Sequence, residues 1–454
     1  MTSSESLPVA VIGAGPVGLA AAAHLLERGL EPLVFEAGPA VGAAIRQWGH
    51  VRVFSTWKYN LDPASVRLLE RNGWEAPRPT ALPYGTQIVS EYLEPLAATP
   101  ELKDRIRTGS RVVAVTRQGM DKGRSQGRDQ APFLLRIEHD GGQVTEVLAH
   151  AVVDTSGTWS TPAPLGSSGL AVPGEAEARA AGLVTGPLPD VAAGGFAGRR
   201  TLVIGSGHSA ANMVLDLARV ARANPGTEVF WAIRSATPAR AYGGGDADQL
   251  PARGQLGARL RTAVQSGSVQ LLTNFHTASL DVHGDSVAVH AVDGRSVEAD
   301  QVVPATGFRP DLAMLSELRL DLDPAVDAPK ALGPLIDPDF HSCGTVPAHG
   351  ARILEQPEKD FYLAGMKSYG RAPTFLMATG YEQVRSIAAA LAGDTEAADA
   401  VELELPETGV CSTSVPNDLD DAGDGCCTAP APVPVTIGFA TGLQHGRSSE
   451  TISG

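Results

Sequence analysis

The sequence predicts an α/β protein of two parallel-sheet units, the second inserted into the first, followed by an irregular C-terminal tail. Three observations predict it. A glycine fingerprint, GAGPVG, stands at Gly13, Gly15 and Gly18, and a second, GSGHSA, at Gly205, Gly207 and Ala210. Each half also holds an apolar strand that runs into a small-residue turn, VVDTSGT at 152–158 and VVPATGF at 302–308, which suggests duplication of a whole unit. Strand, glycine turn and helix in this order make a Rossmann-like dinucleotide-binding unit. Two such units on one polypeptide are the equipment of a flavoenzyme reduced by a nicotinamide, with FAD expected at the first and NADPH at the second.

In the first unit, Pro8 to Ile12 reads as a buried parallel strand and Leu19 to Arg28 as the helix that follows. Gly13 permits the tight turn, Gly15 lets backbone approach a pyrophosphate, and Gly18 packs helix on strand. The phosphates would meet the helix N-terminus, where unpaired N–H groups and the helix dipole favour anions. A strand from Glu31 to Phe35 then ends at Glu36, roughly 20 residues beyond the glycines, where an acid accepts hydrogen bonds from an adenosine ribose and repels a 2′-phosphate. Gly13, Gly15, Pro16, Gly18, Glu36 and Ala37 are the cofactor-binding residues expected here.

The second unit repeats the pattern with Thr201–Ile204 as strand, Ser209–Ala221 as helix and Glu228–Ile233 as the next strand. This strand ends in Arg234, whose guanidinium matches a 2′-phosphate in charge and fork geometry, so NADP is preferred over NAD. Arg240 and Arg253 follow in a glycine-rich stretch and extend the candidate phosphate clamp. Gly205, Gly207, His208, Ser209, Ala210 and Arg234 are the expected contacts, joined by Thr306 and Gly307 in the second small-residue turn.

Composition narrows the partners. With 454 residues the chain is long enough for two or three domains. A net charge of −15 without clustered basic residues argues against nucleic acid and anionic membranes as partners. The N-terminus MTSSESLP lacks a basic stretch followed by an apolar one, and no run has the length of a bilayer span, so the expectation is a cytoplasmic protein. Four cysteines do not make a disulfide scaffold. Cys343, with His341 and His349, has metal-like residue types at no recognised zinc spacing.

The organisation follows: residues 1–165 form the first part of the FAD unit, 166–194 a Pro, Gly and Ala-rich linker or hinge, 195–310 the NADPH unit, 311–395 the second part of the FAD unit, and 396–454 an acidic, proline-rich tail carrying Cys411, Cys426 and Cys427. Within the first part, Val112–Val115 and Phe133–Ile137 alternate as half-buried strands do. Val112, Ser156 and Gly157 join the FAD contacts there. Beyond 311, a strand Phe361–Ala364 leads into Gly365 and a helix spans Ala378–Leu391.

The paired fingerprints, the ATGFRP segment and the order flavin, nicotinamide, flavin resemble the two-dinucleotide-binding flavoproteins, which include class B flavin monooxygenases and thioredoxin-reductase-like enzymes. Within that group, WGHVRVFSTWKYNLDP, GSGHSAAN, HSCGTVPAHGA, GMKSYGRAPTF and ELPETGVC resemble actinobacterial flavoproteins that accompany arsenic-resistance genes. The departures are as informative. The monooxygenases' FxGxxxH is reduced to FAGRR at 196–200, the reductases' paired cysteines are missing, and the superfamily's C-terminal Gly-Asp is Gly365-Met366. The ribityl hydroxyl that this acid holds then needs Lys367, Ser368 or backbone instead. Homodimerisation is implied by the resemblance alone.

The resemblance implies an NADPH-dependent FAD monooxygenase that uses dioxygen, through a flavin C4a-hydroperoxide, to oxygenate a small soft nucleophile: a trivalent arsenical or a sulfur or nitrogen compound. The alternative is an NADPH-dependent flavin reductase that passes electrons to a thiol-bound metalloid, a quinone or a partner protein. Either chemistry belongs to the cofactors, so no catalytic triad or metal cluster is required. Candidates for the flavin face are Trp48, Ser55, Trp57, Tyr59 and Asn60 in a segment rich in aromatics for a chain that is 5% aromatic. Asn60 and Tyr59, with Tyr369, are the catalytic candidates; Arg371 and Thr374 complete the pocket with Met366. Cys411, Cys426 and Cys427 are candidate metalloid ligands, since thiolates take soft ions.

Overall fold

The computed structural model describes residues 7–243, 251–337, 346–373 and 375–403. In chain order the strands are β1 (Val9–Ile12), β2 (Pro32–Phe35), β3 (Ile106–Arg107), β4 (Ser110–Arg117), β5 (Phe133–His139), β6 (Val144–Ala149), β7 (Ala151–Asp154), β8 (Arg200–Ile204), β9 (Glu228–Ala232), β10 (Gln270–Leu272), β11 (Thr277–His283), β12 (Ser286–Ala291), β13 (Ser296–Ala299), β14 (Gln301–Pro304) and β15 (Phe361–Leu363). The first unit is a parallel sheet in the order β15-β7-β1-β2-β3. The second is a parallel sheet in the order β10-β9-β8-β14.

Each sheet is buried on both faces, which is why its strands are continuous apolar runs. In β1, Val9 and Val11 face a core shared with the helices Pro16–Glu27, Pro63–Arg71 and Met377–Leu391, while Ala10 and Ile12 face the antiparallel β4-β5-β6 meander. The second sheet repeats this. Val203 packs toward the helices His208–Ala223 and Pro251–Gln265, and Leu202 and Ile204 pack toward the β11-β12-β13 meander. The architecture therefore carries the duplication that the two small-residue turns suggested.

Residues 166–194, expected as a linker, differ from that expectation. A helix spans Glu175–Ala180, and Ala178, Leu183 and Val184 are buried in the second unit's core with Leu165. Val184 pairs in parallel with Val302, with backbone bonds from Thr185 to Val302 and from Val302 to Leu183. The stretch thus adds an edge to the second sheet. The actual crossing is shorter: Thr161 and Ala163 bond to Arg309 and Gly307, and Trp159 lies 5.1 Å from Phe308, ring to ring.

The start of the expected tail also belongs to the first unit. The helix Thr395–Asp399 is fixed by hydrogen bonds from Arg385 to Ala397 O and from Ser386 to Ala398 O. Cys343, His341, Thr374, Cys411, Cys426 and Cys427 lie outside the described residues.

Glu358 ties the first meander to the C-terminal part of the chain. Its carboxylate accepts from Arg117 Nε at 2.7 Å, from Arg128 Nη2 at 2.8 Å and from the Arg319 amide at 3.0 Å. All three charged side chains of this clasp are 1–2% exposed, and the Arg117 guanidinium also covers the Phe133 ring at 3.7 Å.

Candidate functional site

The first fingerprint builds an anion cradle from backbone. Gly13 has φ +100, and a Cβ there would lie 3.0 Å from the Thr155 oxygen and Ser156 Cα. A Cβ on Gly18 would lie 1.9 Å from the Gly13 carbonyl oxygen, so only glycine lets helix and turn meet. Gly15 is the N-cap with no side-chain cap, and nothing stands within 4 Å of the position its Cβ would take. The first-turn N–H groups behind Pro16 are left to an incoming ligand, and the open space at Gly15 fits a pyrophosphate. Glu36 is held in place by the amides of Ala14 (2.9 Å) and Gly38 (2.8 Å), next to half-buried Ala37. Each carboxylate oxygen keeps a lone pair for a ribose hydroxyl. Ser156 is exposed and Gly157 half-buried at the end of β7, on the same side of the sheet; Val112 instead buries its side chain between meander and sheet.

The segment 48–60 forms one wall. Trp48 packs on Gly85, Trp57 is 2% exposed, and Tyr59 is half-buried with Lys58 Nζ 5.5 Å from its ring centre. Asn60 is 0% exposed, and its carboxamide is turned onto Ser55: Oδ1 accepts from Ser55 Oγ and Nδ2 donates to Ser55 O, both at 2.8 Å. Its own carbonyl accepts from the Tyr381 hydroxyl at 2.8 Å. Asn60 thereby pins the 55–60 turn to the helix Met377–Leu391.

The opposite wall follows β15. Gly365, Met366, Lys367, Ser368 and Tyr369 form a 3-10 turn. Tyr369 is 2% exposed between His349 (5.8 Å) and Phe375 (5.2 Å), and burial pushes its hydroxyl pKa up, so it remains protonated at neutral pH. As a catalytic candidate it therefore offers shape and a neutral O–H rather than a phenolate. Gln383 organises the turn, accepting from the Gly365 amide at 2.7 Å and donating to Ser368 Oγ at 2.9 Å and His349 Nε2 at 2.8 Å. His349 is thereby the Nδ1–H tautomer, donating to Pro347 O at 3.0 Å. Sequence reasoning missed Gln383 because nothing local sets it apart from its helix.

Burial holds the His349 pKa below the ordinary imidazole value, against the smaller opposing effects of Pro347 and Glu382. The folded chain keeps this ring neutral, so its contribution is complete above about pH 6.5 and is lost as pH falls toward the depressed folded value. Protonation also sets two donors face to face at Gln383. Acidification below about pH 6.5 is expected to weaken flavin binding by way of this turn, followed as recovered flavin fluorescence. The His349→Phe variant should show a flatter profile, and an unaltered profile would contradict the assignment.

At the second fingerprint, Gly205 has φ +137 and a Cβ there would lie 2.0 Å from Ala305 O. Gly207 caps the helix His208–Ala223 with no side-chain cap, half-buried Ser209 lies in its first turn, and Ala210 is in the core. A cavity of about 580 Å³ opens beside it, lined by Ser206, Arg234, Ser235, Thr237, Pro238, Arg240, Ala241 and His276, and closed by Ser167 and Ser168. Among the described residues no carboxylate lines it. Arg234 Nη1 donates to Ser167 O at 3.2 Å. Thr306, expected to touch nucleotide, spends its hydroxyl on Ala163 O at 2.7 Å, and the Gly307 carbonyl accepts from Ala163, so this turn fastens the crossing between units. Arg253 lies on the helix Pro251–Gln265 and does not line the cavity.

The two sites meet at an aromatic seam. Phe54, from the 48–60 wall, lies 5.0 Å from the ring of His208 at the start of the second fingerprint's helix. Trp159 Nε1 donates to Gln47 Oε1 at 3.0 Å beside it. Among the described residues no His, Cys, Asp and Glu group of three or more is arranged to hold a metal, and no helix is long and apolar enough to cross a membrane.

Residues 8–132 match the family model described as FAD dependent oxidoreductase. The matched segment is the one that carries the first fingerprint and Glu36. No curated protein matches the chain by sequence. Among solved structures, the bacillithiol disulfide reductase of Bacillus cereus is similar at 20% identity and TM-score 0.64, covering 86% of this chain and 99% of that one. The thioredoxin reductase of T. acidophilum (16%, TM-score 0.55, 87% and 100% covered) and a flavin-containing monooxygenase from Stenotrophomonas maltophilia (20%, TM-score 0.52, 86% and 98%) share the fold.

Proposed function

We propose that the protein takes a hydride from NADPH, bound at the second fingerprint, onto FAD bound at the first, and uses dioxygen to oxygenate a small soft nucleophile. The observation that carries the reading is the seam: the N-terminal end of the second fingerprint's helix abuts the 48–60 wall of the first unit through Phe54 and His208. Nucleotides entering the two cradles therefore converge. Among the described residues, Arg234, Arg240 and His276 with five neighbouring hydroxyls line the cavity and favour a 2′-phosphorylated dinucleotide.

FAD, when bound, supplies two-electron chemistry and a reduced ring that reacts with oxygen or another acceptor. The chain's own residues bind and enclose. Glu36 and the glycine turn orient the adenosine end. Ser55, Asn60 and Tyr381 fix one wall; Gln383, Ser368 and His349 fix the other; buried Trp57 and Tyr369 keep water out.

Oxygen use is favoured over dithiol relay because the sequence places no cysteine before Cys343 and no spaced cysteine pair anywhere. The second reading, a reductase serving a thiol-bound metalloid, quinone or partner protein, draws on the fold shared with the bacillithiol disulfide and thioredoxin reductases. Coupling separates the two. With thioethers, amines and trivalent arsenicals offered in turn, a monooxygenase consumes one dioxygen per NADPH and yields an oxygenated product with little peroxide. Substrate-dependent NADPH oxidation that proceeds equally without oxygen would establish the reductase.

Asn60→Ala is expected to cost about 1–2 kcal/mol of stability through its lost bonds to Ser55, and to raise peroxide release per NADPH oxidised. Unchanged peroxide release would remove Asn60 from the positioning of that wall.

A further inference from the structure

The turn 166–170, GSSGL, is built more firmly than a surface connection needs. Glu175, 2% exposed, spends its carboxylate on both ends of it: Oε2 accepts from the Leu165 amide at 3.2 Å and from the Val172 amide at 3.2 Å, while Oε1 accepts from Arg179 Nη2 at 2.9 Å. The Gly169 amide closes the turn onto Gly166 O at 3.0 Å. A Cβ on Gly166 would stand 2.2 Å from Leu170 O, so this position admits no side chain. Gly169 has φ +81, and a Cβ there would meet Arg309 Nη2 at 2.8 Å. That nitrogen donates to Gly169 O at 2.7 Å, so a cation 140 residues away in sequence ties down the tip of the strap.

What these ties hold in place is a wall of the second unit's cavity. Half-buried Ser167 and exposed Ser168, set between the two glycines, line it together with Arg234, Arg240 and His276. Ser167 O accepts from Arg234 Nη1 at 3.2 Å and so keeps the guanidinium at the rim, from which a stronger acceptor can take it over. Arg309 follows the turn whose Thr306 and Gly307 fasten the crossing between units. Its own amide donates to Thr161 O at 2.9 Å while its side chain reaches Gly169, so one residue joins the crossing to the cavity wall. Burying the Glu175 carboxylate costs desolvation that only well-placed bonds offset, and those bonds fix the strap's two ends. A serine hydroxyl donates one hydrogen bond, and a phosphate monoester offers three acceptor oxygens.

We propose that the strap is a specificity element of the dinucleotide site: Ser167 and Ser168 donate to the 2′-phosphate together with Arg234, and Arg309 and Glu175 are positioning residues that hold the two serines against the cavity. The proposal rests on NADPH occupying the second fingerprint. It gives residues 166–170 a part in choosing the dinucleotide, and it makes that choice depend on an arginine outside the cavity.

The test is calorimetric titration of the FAD-reconstituted protein with 2′,5′-ADP and with 5′-AMP, which differ by the 2′-phosphate alone and require no turnover. In the double variant Ser167→Ala with Ser168→Ala, the Kd for 2′,5′-ADP should rise about 10- to 50-fold, the range for hydrogen bonds to a charged group, while that for 5′-AMP stays as in wild type. In Arg309→Ala the same selective rise should be about three- to tenfold, and Arg309→Lys, which keeps a cationic donor for Gly169 O, should recover most of it. Wild-type discrimination between the two ligands in the serine variant, or an equal loss on both, overturns the proposal. Wild-type discrimination in Arg309→Ala, or a lysine as weak as the alanine, overturns the part given to Arg309. Should Arg309→Ala not fold, the serine variant decides alone. Wild-type protein that binds the two ligands equally would fail the NADPH reading instead, and is told apart because the discrimination is then missing from the control itself.

Discussion

Glu358→Ala is expected to lower the stability of the folded chain by about 3–5 kcal/mol, the range for removing one partner from a buried ion pair. The loss comes from what remains behind. Arg117 and Arg128, 1% and 2% exposed, keep their charges in a dry interior with only carbonyl partners: Ala131 and Lys359 for Arg117, Asp121 and Glu317 for Arg128. The clasp spans β4, the loop before β5 and the segment leading to β15, so its loss loosens the meander from the sheet that carries the first fingerprint. Burial alone would raise the Glu358 pKa, but the bonds from Arg128 and Arg117 outweigh it and hold the carboxyl below its ordinary value. The stabilisation is therefore complete above about pH 4.5 and is lost as pH falls through the lower folded value. A urea midpoint that is unchanged in Glu358→Ala at neutral pH would show that the clasp contributes nothing.

Arg234→Ala should raise the KM for NADPH about 10- to 150-fold, the equivalent of about 1.5–3 kcal/mol for hydrogen bonds to a charged group, with little change for NADH. Arg234 follows β9 at the rim of a cavity whose ionisable lining, among the described residues, is Arg234, Arg240 and His276. Its guanidinium presently donates to Ser167 O at 3.2 Å, a neutral acceptor that a phosphate dianion outcompetes. Steady-state kinetics with both dinucleotides checks this. An equal loss with NADH would place Arg234 in general structure rather than in phosphate recognition.

Much of this was legible in the sequence because it is local. A position that must take φ +100, or where a Cβ would stand 1.9 Å from a carbonyl oxygen, shows itself as a glycine, and the strands beside it show themselves as apolar runs. The acid at Glu36 and the cation at Arg234 stand at fixed offsets from those glycines, so their placement followed from the fingerprints. What stayed hidden was formed by distant parts of the chain. Lys367 meets Asp154 only because β15 pairs with β7, and Gln383 reaches Gly365 only after its helix has packed. Residues 166–194 misled because Pro, Gly and Ala dominate them. Leu183 and Val184 are too short an apolar run to announce a sheet edge, yet two residues suffice when β14 is already in place. The pairing of Asn60 with Ser55 inside one turn has no sequence pattern that announces it.

Hydride transfer between the two cradles is tested most directly by adding NADPH without oxygen to the purified, FAD-reconstituted protein and watching the flavin's yellow absorbance. The account predicts stoichiometric bleaching, fast with NADPH and much slower with NADH at equal concentration. A chain that binds no FAD, or one whose bound FAD stays yellow under excess NADPH, would contradict it.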